Sequence, residues 1–369
     1  MNVVRLVAAL LALGSVPILA GGAWIRPSSP DGPLIWGRTD GIVFGIRSTG
    51  GLRGPRGLIR IGVPNANGAP AELVNFVAIE PVITGFGSRF SRMGFSELDM
   101  SQLDRGERGK RIWVAPSETA GELRTLPLLP TVIEILGGKP KGQRAPLEIL
   151  SVRLEVEPFQ YTKAHVYVVA TMVSDAPSEV RLTVYHHPDS APIEELTTTA
   201  TMGNYERLRY LWLKDRVVDS RDYPVRNSGA AIDEFRDLAD FPLPEMLRTG
   251  DGDAIVFCTT NEQVPGEVQV RNGPGWTYRA PKLTQYWRVP GHEIQPDLRT
   301  RVNVRQVYWA SQTQVPGGPA FENLEVRQRY VPSQVFVFGL TPKEPSGWEP
   351  RIAHLAREKN LSILPKGEK

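Results

Sequence analysis

One carboxylate near the C-terminal end of the chain stands among apolar residues, and a charge in that place needs a physical reason. The segment FENLEVRQ, 321–328, alternates as a strand does, and a period of two puts Glu322 on the same side as Leu324 and Val326. A buried charge is costly unless it is paired, hydrogen-bonded or used in chemistry. Glu322 is therefore a candidate catalytic acid or base, and a structural ion pair with a buried arginine is the alternative.

Aromatic rings and arginines are concentrated in GPGWTYRAPKLTQYWRVPGHE, 273–293, and a further tryptophan precedes the strand of Glu322. Sugar rings stack their C–H faces on Trp or Tyr, and their hydroxyl and carboxylate groups accept hydrogen bonds from arginine. This composition predicts a carbohydrate-binding surface, against the alternative that each tryptophan only packs in the core. The candidate stacking residues are Trp276, Tyr278, Trp287 and Trp309.

Histidines at the ends of two expected strands are candidates for proton transfer. In YHHPDSAP, 185–192, the prolines end a strand at His186, and in KAHVYVV a strand begins beside His165. Imidazole titrates near neutral pH, so either side chain is suited to general acid or base catalysis. His186 and His187 are adjacent on a strand and point to opposite faces, which argues against a metal held by both.

The segment TATMGNYERLRYLWLKD, 199–215, is interpreted as a turn that leads into a short helix. Asn204 would cap that helix, and Arg207 would bind a carboxylate of the fold or of a ligand. A tyrosine base and donors that neutralise a carboxylate are also what β-elimination from a uronic acid requires. A polysaccharide lyase is therefore an alternative function, with Tyr205 or His186 as its base.

The composition predicts an all-β protein. The chain has 369 residues, of which 41% are hydrophobic, and 35 glycines and 32 prolines divide it into short β-branched or alternating runs such as HVYVVATMV and SQVFVFGL. Amphipathic helical patterns are few and short, and no internal repeat or linker divides the chain. We expect one large antiparallel β-sandwich over residues 24–341 with few short helices, followed by a C-terminal tail, 342–369.

The beginning of the chain has the pattern of a signal peptide. Arg5 precedes an apolar run over 6–20, and small residues follow it where a peptidase could cut. An uncleaved anchor is the alternative, but Gly14 and Pro17 interrupt a run that is already shorter than the ~20 residues of a spanning helix. We expect residues 1–23 to be removed, which leaves no stable membrane span and predicts a periplasmic or secreted protein.

Several function classes are disfavoured by what the chain contains. Cys258 is its one cysteine, which excludes an intrachain disulfide and a zinc site built on thiolates. The formal net charge of +3 is small and its cations are dispersed, so nucleic acid is not an expected partner. Dinucleotide, phosphate-loop and HExxH motifs are missing from the sequence, and no metal or cofactor is expected.

Three short segments resemble the galactose-mutarotase-like β-supersandwich proteins, which include the aldose and hexose-phosphate 1-epimerases. GPRGLIRIGVP is similar to their early Arg-Gly-Gly segment, RMGFSELD followed by RIWV to their His-Gly-Phe motif with its later tryptophan, and GGPAFENLE to their late strand with the catalytic Glu. The resemblance implies that Arg56 binds sugar and that Glu322 is the base at the anomeric hydroxyl. Met93 stands where the family has histidine, so His165 or His186 would have to supply the acid.

The sequence as a whole predicts an exported protein that binds or acts on carbohydrate. Its sugar site would lie on a concave sheet face, with acid–base chemistry at a sugar carbon if the protein is an enzyme. The expected ligand is an oligosaccharide or polysaccharide. Two alternatives stay open: a lyase for uronate-containing glycans, and a non-catalytic interaction protein of the envelope or cell surface.

Overall fold

The structure is a computed structural model, and it describes residues 22–46, 59–64, 72–83, 111–127, 146–159, 162–201, 208–223, 239–259, 284–306, 315 and 318–341. These residues form twenty strands and four short 3-10 turns, and they contain no helix of seven residues or more. The 3-10 turns are Pro116–Glu118, Ser220–Asp222, Leu243–Glu245 and Gly291–Glu293. The predicted signal peptide, apart from its last two residues, and the predicted tail lie outside the described residues.

The strands are numbered in chain order. The first ten are β1 (Trp24–Ile25), β2 (Ile35–Arg38), β3 (Val43–Ile46), β4 (Ile59–Val63), β5 (Glu72–Ile83), β6 (Ile112–Trp113), β7 (Glu122–Leu126), β8 (Leu147–Val156), β9 (Val166–Val173) and β10 (Glu179–His186). The others are β11 (Ile193–Thr201), β12 (Tyr210–Trp212), β13 (Val217–Asp219), β14 (Ala239–Pro242), β15 (Leu247–Arg248), β16 (Ala254–Thr259), β17 (Thr284–Val289), β18 (Arg299–Arg305), β19 (Ala320–Arg329) and β20 (Gln334–Thr341).

Two large antiparallel sheets contain these strands. The nine-stranded sheet has the order β1-β2-β3-β4-β5-β11-β19-β18-β14. The eleven-stranded sheet has the order β13-β12-β16-β17-β20-β10-β9-β8-β6, with β15 beside β16 and β7 beside β8. The prediction of a large antiparallel β-sandwich is therefore confirmed.

The main core lies between the inner faces of the two sheets. Strand β9 shows how the sequence builds it, because Val166, Val168 and Ala170 are buried while the residues between them are partly exposed. Trp287 of β17 is fully buried and donates a hydrogen bond from Nε1 to the carbonyl of Leu324 in β19 over 2.9 Å, which joins the two sheets. Burial of each large apolar side chain contributes about 1.5–3 kcal/mol.

The eleven-stranded sheet also has apolar residues on its outer face. This second cluster consists of Tyr210, Trp212, Val217, Leu247, Ile255, Phe257 and Tyr286. Strand β12 shows its origin, because Leu211 points into the main core while Tyr210 and Trp212 point into the second cluster. The helix predicted from Tyr205 onward is therefore wrong over 210–212: burial on both faces favours an extended strand there.

None of the helical segments that the structure describes has the length and apolar composition needed to cross a membrane.

Candidate functional site

Glu322 lies in β19 at a β-bulge. Asn323 pairs with Asn303 of β18, but the next pair along the ladder joins Phe321 to Val304, so Glu322 is the extra residue of β19 at this point. Its side chain is 3% exposed. Phe321 therefore belongs to the core, although strict alternation predicted that it points away from it. The predicted alternation holds on the C-terminal side of the bulge and is wrong on the N-terminal side.

Polar and charged side chains cover the outer face of the nine-stranded sheet. We call this set the polar layer, and its members are Arg60, Glu80, Glu195, Thr197, Thr199, Thr201, Arg299, Arg301, Asn303, Asn323, Glu325 and Arg327. Most of these side chains are buried, and Glu195 and Arg299 are partly exposed. The layer is rich in hydrogen-bond donors and acceptors, most of which are buried.

The polar layer arises from strict alternation in two neighbouring strands. In β11, Leu196 and Ala200 point into the core, so the threonines at 197, 199 and 201 point outward. In β19, Leu324 and Val326 point into the core, so residues 323, 325 and 327 point outward beside those threonines. The two strands therefore present opposite chemistry on their two faces.

Ion pairs neutralise the charges of the polar layer that the structure describes in detail. Arg301 Nη1 and Glu325 Oε1 are 3.2 Å apart, and both side chains are buried. Arg327 and Arg299 both contact the carboxylate of Glu195, with Arg299 Nη2 3.0 Å from Oε1. Since carboxylates stand beside these guanidinium groups, this part of the layer carries little excess charge.

A hydrogen-bonded chain crosses three strands of the polar layer. Thr201 Oγ1 donates to Asn323 Oδ1 over 2.6 Å, and the backbone N–H of Asn323 donates to Asn303 Oδ1 over 3.0 Å. Two polar atoms of the layer, Asn303 Nδ2 and Thr199 Oγ1, are buried and have no hydrogen-bond partner among the described residues. Each such atom costs about 1–3 kcal/mol when it stays unsatisfied, so these positions favour a bound polar group.

Trp287 does not lie on a ligand-accessible surface. The ring is 0% exposed, its Nε1 is bonded to the Leu324 carbonyl, and it contacts Phe338 edge-on with ring centroids 5.2 Å apart. Both its faces are within the sandwich, so the prediction that Trp287 stacks against a sugar is corrected to a core-packing role. The alternating residues of β17 explain this placement, because Trp287 points inward while its neighbours Tyr286 and Arg288 point outward.

The other predicted ligand-binding residues lie outside the part of the chain that the structure describes. They are Arg56, Asn204, Tyr205, Arg207, Trp276, Tyr278 and Trp309. The lyase hypothesis depends on Tyr205 and Arg207, so its proposed base and anion partner stay predictions.

His165 and His187 form a stacked pair of imidazoles at one end of the eleven-stranded sheet. Their ring centroids are 4.0 Å apart, and each ring is oriented by a carboxylate: His165 Nδ1 is 2.8 Å from Asp189 Oδ1, and His187 Nε2 is 2.9 Å from Glu155 Oε2. The ring of Tyr167 lies beside them, with its centroid 5.0 Å from that of His187. The hydrogen bond with His165 holds the pKa of the Asp189 carboxyl below its usual value.

His186 lies on the other side of β10 from this pair, as alternation predicted. Its Nδ1 is 3.1 Å from the hydroxyl of Tyr330, and the two rings meet edge-on with centroids 5.8 Å apart. Burial raises the pKa of Tyr330 to about 12, so its hydroxyl stays protonated and available as a donor near neutral pH.

Glu322 lies near the N-terminal end of β19, and the predicted histidines lie near its C-terminal end. Tyr330, the contact of His186, follows Glu322 by eight residues along this strand. At about 3.3 Å per residue, that spacing is about 26 Å. His165 is at the same end as His186, because its ring stacks on that of the neighbouring His187. An acid and a base for one sugar carbon must both reach the bound ring, so this spacing disfavours His165 or His186 as the acid beside Glu322, which stays a prediction.

Within the described ranges, no group of three or more His, Cys, Asp or Glu side chains could hold a metal ion. Cys258 is buried in β16.

The sequence reasoning missed the polar layer as a site. The signal was present in LTTTAT, 196–201, where every second residue from Thr197 to Thr201 is a threonine, and in the alternation of β19. That pattern predicts only a half-exposed strand. The polar layer was missed because the sequence does not show that β11 and β19 are adjacent. The carboxylates that orient His165 and His187 were missed for the same reason.

Comparison of the chain with protein-family models and with curated proteins finds no match. The resemblance to the galactose-mutarotase-like proteins therefore stays a prediction from three short segments. The function has to be argued from the chemistry of the described residues.

Proposed function

We propose that the protein binds carbohydrate on the outer face of the nine-stranded sheet, through the polar layer. The observation that carries the proposal is the pair of buried, unsatisfied polar atoms among the described residues of this face, Asn303 Nδ2 and Thr199 Oγ1. A sugar hydroxyl is both a donor and an acceptor, so one polyhydroxylated ligand would satisfy an amide donor and a threonine hydroxyl together. Burial of these groups would make the loss of either hydrogen bond costly.

The balance of charge in the layer favours a neutral glycan. Arg301 faces Glu325, and Arg327 and Arg299 face Glu195, so each of these guanidinium groups already has a carboxylate beside it. A polyanionic chain of uronates would meet those carboxylates without a matching surplus of cations. A uronate lyase is therefore the less favoured alternative.

Glu322 would carry any chemistry that the protein performs on the bound sugar. It precedes Asn323 of the polar layer directly, and the bulge takes it out of the regular ladder. Bulges beside active sites commonly re-aim a functional side chain. In this proposal Glu322 acts as acid or base at a sugar carbon, and the polar layer holds the ring in position.

The proposed location is the periplasm or the cell exterior. It follows from the signal-peptide pattern over residues 1–23, and a neutral polysaccharide of an envelope or of the surroundings would be accessible there.

Two neighbouring threonines of β11 provide a matched test. Thr199 faces the polar layer and Thr198 faces the core, and Oγ1 of each is buried without a hydrogen-bond partner among the described residues. Thr199→Val and Thr198→Val each remove one hydroxyl and keep the shape of the side chain.

Calorimetry with neutral glucan oligosaccharides and with alginate or polygalacturonate should detect binding of a neutral glycan by the wild type. Thr199→Val should weaken that binding by about tenfold, and Thr198→Val should leave it unchanged.

Three other outcomes of the calorimetry would each lead to a different conclusion. Equal affinity of both variants would place the sugar elsewhere on the protein. Binding of the acidic glycans alone would favour the lyase alternative. If no glycan binds the wild type, the carbohydrate proposal fails, and the remaining alternative is a non-catalytic interaction protein of the envelope or surface.

A further inference from the structure

Arg209 is a fully buried cation at the point where the chain passes from one sheet to the other. The preceding residue, Leu208, accepts a hydrogen bond from the backbone N–H of Phe321 in the nine-stranded sheet over 2.8 Å. Arg209 itself donates its backbone N–H to the carbonyl of Thr259 in the eleven-stranded sheet, also over 2.8 Å. Its side chain is 0% exposed.

The guanidinium of Arg209 binds the backbone that leads into β19. Nη1 donates to the carbonyl of Gly318 over 2.5 Å and also to the carbonyl of Pro319. The Pro319 carbonyl accepts a second hydrogen bond from Ser220 Oγ over 2.7 Å. Ser220 is buried, and its own backbone N–H donates to the carbonyl of Arg209 over 2.8 Å. Arg209 and Ser220 therefore form one connected set of donors, which we call the backbone clamp.

The segment that the clamp holds has an unusual conformation. Gly318 has a φ of 105°, a region that residues with a Cβ rarely adopt. Pro319 has no N–H, so the segment cannot be fixed by donating from this residue to a neighbouring strand. The N–H of Gly318 donates to the carbonyl of Val315 over 3.2 Å, and the clamp binds the carbonyls of Gly318 and Pro319.

Burial of a guanidinium carries a desolvation penalty that a neutral donor avoids. Its rigid fork, however, fixes two acceptors in a definite geometry. The second of these acceptors lies three residues before Glu322, about 10 Å along an extended chain. The clamp therefore lies directly before the start of β19 and its bulge.

We infer that Arg209 and Ser220 are positioning residues that hold the Gly318–Pro319 turn so that Glu322 lies correctly beside the polar layer. The inference rests on the proposed function for the role of Glu322, and on the hydrogen bonds above for the clamp itself. The backbone acceptors of Arg209 come from a turn more than one hundred residues away in the sequence.

Ser220→Ala tests the inference with a small change, and Arg209→Lys tests it by keeping the charge while removing the fork. The matched control is Ser190→Ala, because Ser190 also makes hydrogen bonds to backbone groups, in a turn of the eleven-stranded sheet that is remote from Glu322. Two quantities are measured for each folded variant. One is the titration midpoint of the Glu322 carboxyl by 13C NMR, assigned by its loss in Glu322→Gln, and the other is the Kd for the neutral glycan.

Ser220→Ala should shift the Glu322 midpoint by at least about half a pH unit and raise the Kd by about tenfold, because a carboxyl displaced within a buried site changes its neighbours. Ser190→Ala should change neither quantity. A lower melting temperature with an unchanged Glu322 midpoint in both clamp variants would reduce the clamp to a structural role and overturn the inference. If the wild type binds no glycan, the proposed function fails separately, and the midpoint alone decides on the clamp.

Discussion

Asn303 of β18 and Asn323 of β19 form a directly opposed pair, and Oδ1 of Asn303 accepts the backbone N–H of Asn323 over 3.0 Å. This contact lies immediately beside the bulge of Glu322 and on the same face as the polar layer. The contact uses Oδ1 of Asn303 as its acceptor, so the oxygen of this side chain has a structural role. The buried amide nitrogen, Nδ2, has no hydrogen-bond partner among the described residues.

Asn303→Ala should affect stability and glycan binding together. Removal of Oδ1 leaves the buried N–H of Asn323 without its acceptor, which should lower the free energy of unfolding by about 1–3 kcal/mol. Removal of Nδ2 should weaken the binding of a neutral glycan by about tenfold. Urea unfolding and calorimetry measure the two effects separately.

Thr300→Val is the control for this prediction. Thr300 is on the same strand but on its core side, and its Oγ1 donates to the carbonyl of Glu325 over 2.8 Å. Loss of that hydrogen bond should cost about 0.5–1.5 kcal/mol and leave the glycan Kd unchanged. If Thr300→Val weakens binding as much as Asn303→Ala does, general destabilisation explains both results.

Gly339→Ala should destabilise the eleven-stranded sheet through one steric contact. Tyr286 of β17 lies across Gly339 of β20, and a Cβ at position 339 would overlap its ring. The ring cannot move freely, because its hydroxyl donates to Glu179 Oε1 over 3.0 Å and it packs in the second cluster. We expect a loss of about 1–3 kcal/mol in the free energy of unfolding.

The cause of that loss can be verified with a double-mutant cycle. In a Tyr286→Ala background, Gly339→Ala should cost much less, because the ring that clashes is gone. Gly250→Ala is the neutral comparison, since a Cβ there meets nothing within 4 Å. Additive effects of the Tyr286 and Gly339 changes would contradict the steric explanation.

The titration of Asp189 should depend on His165. The hydrogen bond with His165 lowers the pKa of Asp189 from 3.8, so this carboxylate contributes stability above about pH 3.8 that is lost as the pH falls through the folded-state pKa. In His165→Ala, the 13C titration of the Asp189 carboxyl should move back up toward 3.8. Asp40, whose pKa is lowered mainly by its hydrogen bond with Arg38, should titrate as in the wild type.

Alternation and β-branched composition were sufficient to predict most of the long strands. HVYVVATMV is β9, EVRLTVYHH covers β10, and SQVFVFGL covers β20. These segments fix their own conformation, because one face of each is apolar and the turns at their ends are rich in Gly, Pro or Asp. Short edge strands such as β13 and β15 were not predicted, since two or three residues carry no periodic signal.

Contacts between strands that are distant along the chain could not be predicted from the sequence. Glu322 was recognised as a carboxylate that needs an explanation, but the bulge that places Phe321 in the core depends on the register with β18. Likewise, Trp287 looked like part of an aromatic surface because 273–293 is rich in rings, and its burial depends on which face of β17 meets the other sheet. Single-strand patterns give the faces of a strand and not the identity of its neighbours.

Glu322→Gln decides between the two roles that the sequence left open for this carboxylate. The substitution keeps the shape and the hydrogen-bonding capacity of the side chain and removes its charge. If Glu322 is one partner of a buried ion pair, its loss should lower the free energy of unfolding by about 3–5 kcal/mol, because an uncompensated charge stays behind. If it is an acid or base for bound sugar, stability should change little and any turnover should fall by about 100-fold or more.

The proposed function implies the second outcome. Within the polar layer, Arg301 pairs with Glu325, and Arg327 pairs with Glu195. We therefore expect Glu322→Gln to melt close to the wild-type temperature and to keep the wild-type Kd for a neutral glycan, because its hydrogen bonds survive the change. Anomer exchange or cleavage of the bound glycan, followed by NMR, should be lost. Early melting with unchanged glycan affinity in the refolded protein would assign Glu322 to the fold and would leave the polar layer as a binding surface without a catalytic carboxylate.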